Sequence, residues 1–327
     1  MDQMEPTRNR LIELLETSDY EYVSGQFLSD KLHISRSAIW KHMKELEKDG
    51  YIIEGVPRKG YRIVKSPDKI SANTLHWGLK TNWLGKNIIH KPTTKSTQLI
   101  AHQAAQENAE HGTVIIADEQ TEGKGRMERR WHSSKHKGIW MSIILRPSIL
   151  PSAAPQLTLL TATVLADVIT EQTTAEAKIK WPNDLLIDGK KTAGILTEMQ
   201  AEQDRIHYIV VGIGLNVNQT SDEFPGIIND RAASLKSATG EDQPIVPLIQ
   251  QLLLKFERSY DTFMHHGFSK VQTKWESYGY RIGETIRIRT NHKVLEAAFT
   301  GVAEDGALLI ETGEGSQKIY SGEIEWF

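Results

Sequence analysis

Three short helical patterns followed directly by a hairpin pattern fill the first 65 residues, and few small folds accommodate that order. Apolar residues recur at helical spacing over residues 8–16. Ser24 is a candidate N-cap for a second helix, whose residues Phe27, Leu28 and Leu32 are predicted to face inward. This segment therefore begins as a small helical domain.

The third helix is predicted to run from Ser35 to about Asp49, and two short strands, 51–53 and 61–64, follow it around a turn over 55–60. Its buried stripe is predicted to be Ile39, Met43 and Leu46. Helix, turn, helix and hairpin in this order are typical of a winged helix-turn-helix, whose third helix enters the major groove of DNA.

Charge within this segment is polarised. Residues 1–30 contain 2 basic and 7 acidic side chains, whereas residues 31–65 contain 9 basic and 4 acidic ones. The positive charge thus falls on the predicted reading helix and wing, where phosphate contacts need it. The predicted DNA-binding residues are Ser35, Arg36, Ser37, Trp40, Lys41, Lys44, Arg58 and Lys59. The alternatives are a helical protein-binding domain with solvated lysines and, for Trp40, packing against the wing.

A polar linker is predicted over residues 66–80, with Pro67, Asp68 and Asn73, and a domain of enzyme size follows it to about Tyr280. That domain alternates strands and helices. The predicted strands are 113–118, 138–146, 178–188, 192–200 and 206–217, and the predicted helices are 96–108, 155–173 and 244–266. The charge-free stretch 147–166 contains prolines and hydroxyl side chains, so we interpret it as a loop and a buried helix rather than a membrane span.

One loop of this domain combines glycines with clustered cations. It runs from Gln120 to Trp131 after a predicted strand, and its cations are Lys124, Arg126, Arg129 and Arg130. Glycine lets a backbone approach a ligand closely, and arginine or lysine can hold phosphate and carboxylate groups. The loop has neither P-loop spacing nor the pattern of a dinucleotide-binding fold, so a solvated basic hairpin is the alternative.

Three further segments place polar groups at the ends of predicted strands. Lys180-Trp-Pro-Asn-Asp184 supplies a cation, an amide and a carboxylate, Lys191-Thr-Ala-Gly-Ile-Leu196 a lysine among small residues, and Val211-Gly-Ile-Gly-Leu-Asn216 two glycines and an amide. Each alone is compatible with an ordinary turn between strands. Their order and spacing together are much more specific.

With these motifs in this order, the chain closely resembles bacterial biotin protein ligases of the bifunctional type, which also repress the biotin operon. The resemblance covers nearly the whole chain. It implies an α+β multidomain protein: a winged helix-turn-helix (1–65), the linker (66–80), a mixed-sheet α/β ligase domain of the class II synthetase-like type (81–280) and an SH3-like β-barrel (281–327). It also implies that biotin and ATP, with Mg²⁺, give biotinyl-5′-AMP and pyrophosphate, and that the biotinyl group passes to a lysine of a biotin carboxyl carrier domain.

The resemblance also implies roles for individual residues. Biotin would contact Ser96, Thr97, Gln98, Gln120, Lys124, Gly125, Arg126 and Lys191. ATP or the adenylate would contact Gly123, Lys124, Trp131, Asn183, Asp184 and Asn216. Arg126 and Lys191 are the catalytic candidates, and Mg²⁺ is expected to arrive with ATP rather than on dedicated protein ligands. Lys124 replaces an arginine that is common in the family, and Met127 and Glu128 also depart from it, Glu128 where some members have glycine.

The last segment alternates in strand fashion from Gly283 onward. Ile286 and Ile288 alternate with arginines, and Asp305-Gly306 is a hairpin turn signal. This pattern is typical of a small SH3-like barrel, which in the resemblance helps to hold ATP and the acceptor domain. A cap that only stabilises the core is the alternative.

Regulation and location follow from the same resemblance. The adenylate-bound protein is expected to form a homodimer on a palindromic operator, and the edge around Thr197 to Gln203 is the candidate pairing strand. The net charge of −3 excludes a protein that is basic throughout, of the kind that coats nucleic acid. The chain has no cysteine and no apolar run near Met1, so we expect a cytoplasmic protein without disulfides, thiolate chemistry, signal peptide or membrane partner. The rival hypotheses are a metabolite-sensing repressor with a non-catalytic domain and a lipoate–protein ligase.

Overall fold

A computed structural model describes residues 7–16, 21–65, 70–226, 228–290 and 294–325. Pro67 and Asp68 of the predicted linker and the first six residues lie outside these ranges. The chain forms two compact units, one of residues 1–81 with 244–250 and one of residues 82–243 with 251–327.

The first unit has the order predicted for a winged helix. Its elements are α1 (Thr7–Glu16), α2 (Gly25–Leu32), α3 (Arg36–Lys48), β1 (Ile52–Val56), β2 (Gly60–Lys65) and α4 (Ala72–His76). Strands β1 and β2 pair antiparallel as the wing. The side chains of Ser24 and Ser35 accept hydrogen bonds from the backbone N–H groups of Phe27 and Ala38, which caps α2 and α3.

The buried side chains of α2 and α3 are those of the predicted apolar stripes, except at one position. Ile39, Met43 and Leu46 are at most 1% exposed. Phe27 was predicted to face inward, and that prediction is wrong, because its side chain is 44% exposed. Leu28 and Leu32, four residues apart, form the inward stripe of α2, which leaves Phe27 on the outer face below the Lys31 ammonium group.

Part of the predicted linker is folded. Helix α4 lies within residues 66–80, and Ile70, Leu75 and Trp77 are at most 5% exposed. Trp77 packs with Tyr51, with 5.6 Å between ring centroids. Polar composition favoured a linker here, but these apolar side chains are buried, and Trp77 belongs to the core of the first unit. The three-domain division of the chain stays a prediction.

The second unit is built on a seven-stranded mixed sheet of order β3-β4-β5-β9-β8-β7-β6, in which only β3 and β4 pair in parallel. Its elements up to the last sheet strand are β3 (Ile88–Lys91), α5 (Thr97–Gln106), β4 (Val114–Ala117), β5 (Gly138–Leu145), α6 (Ala154–Gln172), β6 (Lys178–Lys180), β7 (Asp184–Ile187), β8 (Lys190–Ala201) and β9 (Ile206–Asn216). The run 178–188, predicted as one strand, is two strands joined by a turn at residues 181–183.

Helices α5 and α6 cover opposite faces of this sheet. Ala101 of α5 packs with Tyr208 and Val210, whereas Thr158 of α6 donates a hydrogen bond to Thr197, the register partner of Val211. Successive residues of a strand point to opposite faces, so the two helices lie on different sides. By length and composition residues 151–172 could cross a membrane, but 72% of that apolar window is buried, as expected for a core helix.

Helices α7 (Leu235–Thr239), α8 (Ile245–His266) and α9 (Ser269–Tyr278) follow, and then a five-stranded antiparallel sheet. Its strands are β10 (Thr285–Arg289), β11 (Val294–Val302), β12 (Leu308–Thr312), β13 (Gly315–Ile319) and β14 (Glu323–Glu325), in the order β13-β12-β11-β10-β14. Ile286 and Ile288 are fully buried, which confirms the predicted alternation. The chain turns between β11 and β12 at Gly306, whose φ is +83°.

Candidate active site

A cavity of about 630 Å³ opens in the second unit on the α5 side of the large sheet. It is lined by β5, β8 and β9, the start of α5, the basic loop, the turn before β7, residues 224–232 and β14. The predicted ligase residues that line it are Ser96, Thr97, Gln98, Gln120, Lys124, Gly125, Arg126, Trp131, Asn183, Asp184, Lys191 and Asn216. The motifs, far apart in sequence, therefore converge on one cavity.

A wall of paired polar side chains forms one side of the cavity. Ser96, Thr97 and Gln98 at the start of α5 are only 1–4% exposed. The backbone N–H of Thr97 donates to Gln120 Oε1 at 2.8 Å, and Gln120 Nε2 donates to Ser133 Oγ at 2.8 Å. These side chains hold one another in place, so the wall is ordered before any ligand arrives.

The glycines of two motifs make room for this arrangement. A Cβ at Gly214 would lie 2.5 Å from Trp131 Nε1, and one at Gly212 would lie 2.6 Å from Gln98 Oε1. Both glycines belong to β9 and point to the same face, because they are two residues apart. They let the indole of Trp131 and the amide of Gln98 lie directly on the sheet. Within the described part of the chain, the indole N–H of Trp131 has no hydrogen-bond partner.

Cations line another part of the cavity. Lys191 Nζ lies 2.7 Å from Asp184 Oδ1 and 5.3 Å from the centroid of the Trp131 ring. Arg126 donates from Nη1 to Asn183 Oδ1 at 3.1 Å. Burial lowers the pKa values of the Arg126 guanidinium and the Lys180 ammonium, while Asp184 opposes both shifts. Desolvated cations of this kind attract anions more strongly than cations on an open surface do.

The basic loop itself is tightly turned. Met127 and Glu128 have φ values of +55° and +58°, so both adopt the left-handed conformation that glycine tolerates best. Gly123, predicted to contact the nucleotide, is not among the residues that line the cavity. Its Cβ would lie 2.5 Å from the Trp131 carbonyl oxygen, so close packing inside the loop accounts for this glycine.

Several cavity residues escaped prediction. They are Ser142 of β5, Lys180, Phe224, Ile228, Arg231, and Glu323 and Glu325 of β14. Lys180 begins the motif that ends at Asp184, and the predicted site includes only Asn183 and Asp184 of that motif. The segment 219–233 carried no motif, and Asn216 holds part of it by donating to the Ala233 carbonyl oxygen at 3.0 Å. Arg129 of the basic loop pairs with Glu323.

The DNA-reading residues predicted on the first unit are all exposed. Arg36, Trp40 and Lys44 of α3 line a groove with Arg58 and Lys59 of the wing. Trp40 remains 55% exposed. In the same set, Ser35 and Ser37 share a hydrogen bond of 2.8 Å between their hydroxyl groups.

Models of known protein families match three segments of the chain. An HTH domain matches residues 7–62, the Biotin/lipoate A/B protein ligase family matches residues 90–216, and the Biotin protein ligase C terminal domain matches residues 282–326.

Two of the relatives match nearly the whole chain. The bifunctional ligase/repressor BirA of Bacillus spizizenii is 49% identical over 318 residues, which cover 97% of this chain and 98% of that protein. This chain belongs to the bifunctional ligase/repressor family. A more distant relative, the bifunctional ligase/repressor BirA of Escherichia coli K12, is 28% identical over 315 residues.

Solved ligase structures share the fold of the larger part of the chain. The biotin protein ligase from Aquifex aeolicus in complex with biotin and ATP is 31% identical, with a TM-score of 0.64, and the match covers 73% of this chain and 98% of that one. The predicted family and the predicted fold class are confirmed: a bifunctional ligase/repressor with an N-terminal helix-turn-helix, a mixed-sheet ligase domain and a C-terminal β domain.

Proposed function

We propose that this protein attaches biotin to a lysine of a biotin carboxyl carrier domain through biotinyl-5′-AMP and, with the adenylate bound, represses genes of biotin biosynthesis or transport by binding operator DNA. The observation that carries the proposal is the convergence of four separate motifs of the family on one cavity, in a chain that also contains a winged helix.

The first chemical step joins two anions. An oxygen of the biotin carboxylate attacks the α-phosphorus of ATP, the bond to the bridging oxygen breaks, and pyrophosphate leaves. Arg126 and Lys191 lie among the cavity-lining residues and would neutralise the carboxylate and the phosphate as they approach. Lys124 and Gly125 extend the same basic loop, with Lys124 supplying charge but not the bidentate geometry of arginine.

Biotin carries a polar ureido ring that needs both donors and acceptors. Ser96, Thr97, Gln98 and Gln120 offer hydroxyl and amide groups on the buried wall, and we assign the ring to that wall. The carboxylate end of biotin then points toward the cations.

The adenylate lies on Trp131 in this proposal, with Asn183, Asp184 and Asn216 as polar contacts. Gly123 does not line the cavity and instead allows close packing inside the basic loop. Mg²⁺ would arrive with ATP and neutralise its phosphates. Oxygen ligands near the cations include the Asp184 carboxylate, already beside Lys191, and the Asn183 amide oxygen, already beside Arg126. No group of three or more acidic, histidine or cysteine side chains suited to a metal occurs among the described residues.

In the second step, the acceptor lysine attacks the biotinyl carbonyl carbon and AMP leaves. Until then the loop around Arg126 must retain the adenylate. We expect Arg126→Gly to release biotinyl-5′-AMP early and to cause labelling of unrelated lysines nearby. A filter-binding assay of adenylate dissociation tests this, and a variant that holds the adenylate as long as the parent would contradict the role assigned to Arg126.

The activity is tested by pyrophosphate release from purified protein with MgATP and biotin, with lipoate and octanoate in parallel. We expect pyrophosphate release with biotin but not with lipoate or octanoate. The biotinyl-5′-AMP product should be detected by mass spectrometry. Release with lipoate instead would identify a lipoate–protein ligase. Tight biotin binding without any release would leave the rival sensor-repressor with a non-catalytic domain.

Repression requires a dimer, because the two halves of a palindromic operator are read by two winged helices. The outer part of β8 is the edge we propose for pairing. Residues 184–187 of β7 pair with 190–194 of β8, and within the described residues the strand pairing of 197–201 is with β9 alone. An open strand edge invites addition of another strand. The carrier domain would compete with the second protomer for this edge. The protein would act in the cytoplasm.

We expect Glu202→Lys, a charge reversal at this edge, to weaken operator binding while adenylate synthesis continues. An operator-binding titration measures the affinity for DNA, sedimentation of the adenylate-bound protein measures dimerisation, and pyrophosphate release measures adenylate synthesis. Unchanged repression would place the interface elsewhere.

A further inference from the structure

Gln98, which we assign to the biotin ring, is held by partners on both ends of its amide. Its Oε1 accepts a hydrogen bond from Ser142 Oγ at 3.0 Å. Its Nε2 donates to Glu198 Oε2 at 2.9 Å and lies 3.4 Å and 3.3 Å from the backbone oxygens of Leu196 and Val210.

Only one orientation of this amide satisfies its surroundings. Turning it over would place Oε1 against a carboxylate and two carbonyl oxygens, and none of these three carries a proton to donate. Glu198 is the only charged group of the three, so it makes the strongest of these hydrogen bonds. It is also the only one of the three that is a side chain, so a substitution can remove it.

The orientation of Gln98 determines which way the neighbouring hydroxyl groups donate. Ser142 Oγ lies 2.9 Å from Thr97 Oγ1 as well as 3.0 Å from Gln98 Oε1. A hydroxyl has a single proton, and an amide oxygen can only accept. Ser142 must therefore donate to Gln98, so it can only accept in its contact with Thr97. The Thr97 hydroxyl proton then has two acceptors within reach, Ser142 Oγ at 2.9 Å and Gln120 Oε1 at 3.1 Å. Gln120 Oε1 still receives the backbone N–H of Thr97 at 2.8 Å.

Glu198 is itself held in place from α5. His102 Nε2 lies 3.2 Å from Glu198 Oε2, and His102 Nδ1 lies 3.3 Å from the Tyr208 hydroxyl. Hydrogen bonding from His102, and then from Gln98, lowers the pKa of the Glu198 carboxyl, with Lys124 adding a weaker attraction. The carboxylate thus stays an acceptor near neutral pH.

We propose that Glu198, which does not line the cavity, is a positioning residue for biotin. It fixes the Gln98 amide and, through it, the pattern of donors and acceptors that the ureido ring meets. This inference rests on the proposed function, because Gln98 must contact biotin. A preset pattern raises affinity because the polar groups need not be ordered when the ligand binds.

The effect should appear in biotin affinity and not in the chemistry, because Arg126 and Lys191 remain in place. We expect Glu198→Ala to raise the KM for biotin about tenfold, the size expected for one lost charged hydrogen bond, with kcat and the KM for ATP within about twofold of the parent. Glu198→Gln, which keeps an acceptor oxygen, should restore most of the affinity.

A double-mutant cycle separates positioning from a general structural role. If Glu198 acts through Gln98, then Glu198→Ala should change the KM for biotin little in a Gln98→Leu background. The matched control is His207→Ala, which breaks the exposed pair between His207 Nε2 and Glu202 Oε1 at 3.1 Å without touching a cavity residue. It should leave the KM for biotin unchanged.

Equal effects of Glu198→Ala in both backgrounds, or a fall in kcat without a rise in KM, would overturn the proposal. So would a Glu198→Gln variant as impaired as Glu198→Ala. Glu198→Asp keeps the charge but withdraws the oxygen from Gln98, and it replaces the alanine variant if that fails to fold. A parent protein that makes no biotinyl-5′-AMP would refute the proposed function, whereas an active parent matched by Glu198→Ala would refute only this inference.

Discussion

The ligand cavity and the DNA-reading surface use polar side chains in opposite ways. In the cavity, Ser96, Thr97 and Gln98 are almost fully buried, and hydrogen bonds link Thr97 and Gln98 through Ser142. On the first unit, the predicted reading residues are exposed, and Trp40 has more than half of its surface in solvent. The cavity groups position one another, whereas the reading residues are positioned mainly by the backbone of α3 and of the wing.

This difference follows from the ligands. The neutral ureido ring of biotin is recognised in a buried pocket by hydrogen bonds. Each buried polar group left without a partner weakens the free energy of binding. DNA presents a row of charged phosphates that exposed cations meet while still partly hydrated. We therefore expect substitutions in the cavity to be strongly coupled and substitutions on the reading surface to be nearly additive.

The largest effect is expected at Lys191. Lys191→Ala removes the cation beside Asp184, so biotinyl-5′-AMP formation should slow by about 100- to 1,000-fold, the range seen when a group that stabilises developing charge is removed. Single-turnover formation of the adenylate measures it. Lys190→Ala, an exposed neighbour on the same strand, is the control and should be nearly normal. If Lys191→Ala and Lys190→Ala slowed adenylate formation equally, the role assigned to the Lys191 ammonium group would be wrong.

A smaller effect is expected from a single added methyl group. Gly214→Ala places a Cβ against the Trp131 indole, and relieving that overlap should weaken adenylate binding by about ten- to a hundredfold. Gly313→Ala is the control, because a Cβ there would meet no atom of the described residues within 4 Å. Calorimetric titration with a non-hydrolysable adenylate analogue tests the pair, and unchanged affinity would mean that Trp131 does not carry the adenylate.

The smallest effect is expected on the reading surface. Arg36→Ala should weaken operator binding by about tenfold and reduce the slope of log affinity against log salt by about 0.9, as for one phosphate contact. Its effect should add to that of Lys41→Ala, in contrast to the coupling between Glu198 and Gln98. Lys48→Ala, an exposed lysine on the same helix outside the predicted set, is the control. If the effect of Arg36→Ala on operator binding changed strongly in a Lys41→Ala background, the reading surface would be coupled like the cavity, and the distinction between the two regions would be wrong.

Local patterns predicted the regular elements well. The caps Ser24 and Ser35 and the stripe of α3 are encoded within a few residues, and the structure confirms them. Phe27 was misplaced because an apolar residue next to a buried stripe cannot be assigned to a face by spacing alone. Sequence patterns did not predict strand β3 or helices α7 and α9, and they predicted a single strand where β6 and β7 are two. Short segments carry too little periodicity to identify such elements.

The cavity was only partly accessible to the same reasoning. Motifs identified most of its polar residues, but Ser142 lies in the middle of an apolar strand, and Glu323 and Glu325 come from the far end of the chain. The contact between Gly123 and the nucleotide, which the family resemblance implies, stays a prediction, and Gly123 is not among the residues that line the cavity. Its packing against the Trp131 carbonyl oxygen is visible only in three dimensions.

The sequence by itself determined the family, the order of the main elements and most of the polar side chains of the site, because caps, periodicity and motif spacing are local properties of the chain. Tertiary structure decided which groups meet. Glu198 lies 100 positions from Gln98 and belongs to no motif, yet pairing of β8 with β9 and packing of α5 on that sheet bring their side chains within hydrogen-bond distance. Register and helix packing create such contacts, and both depend on residues far apart in the chain.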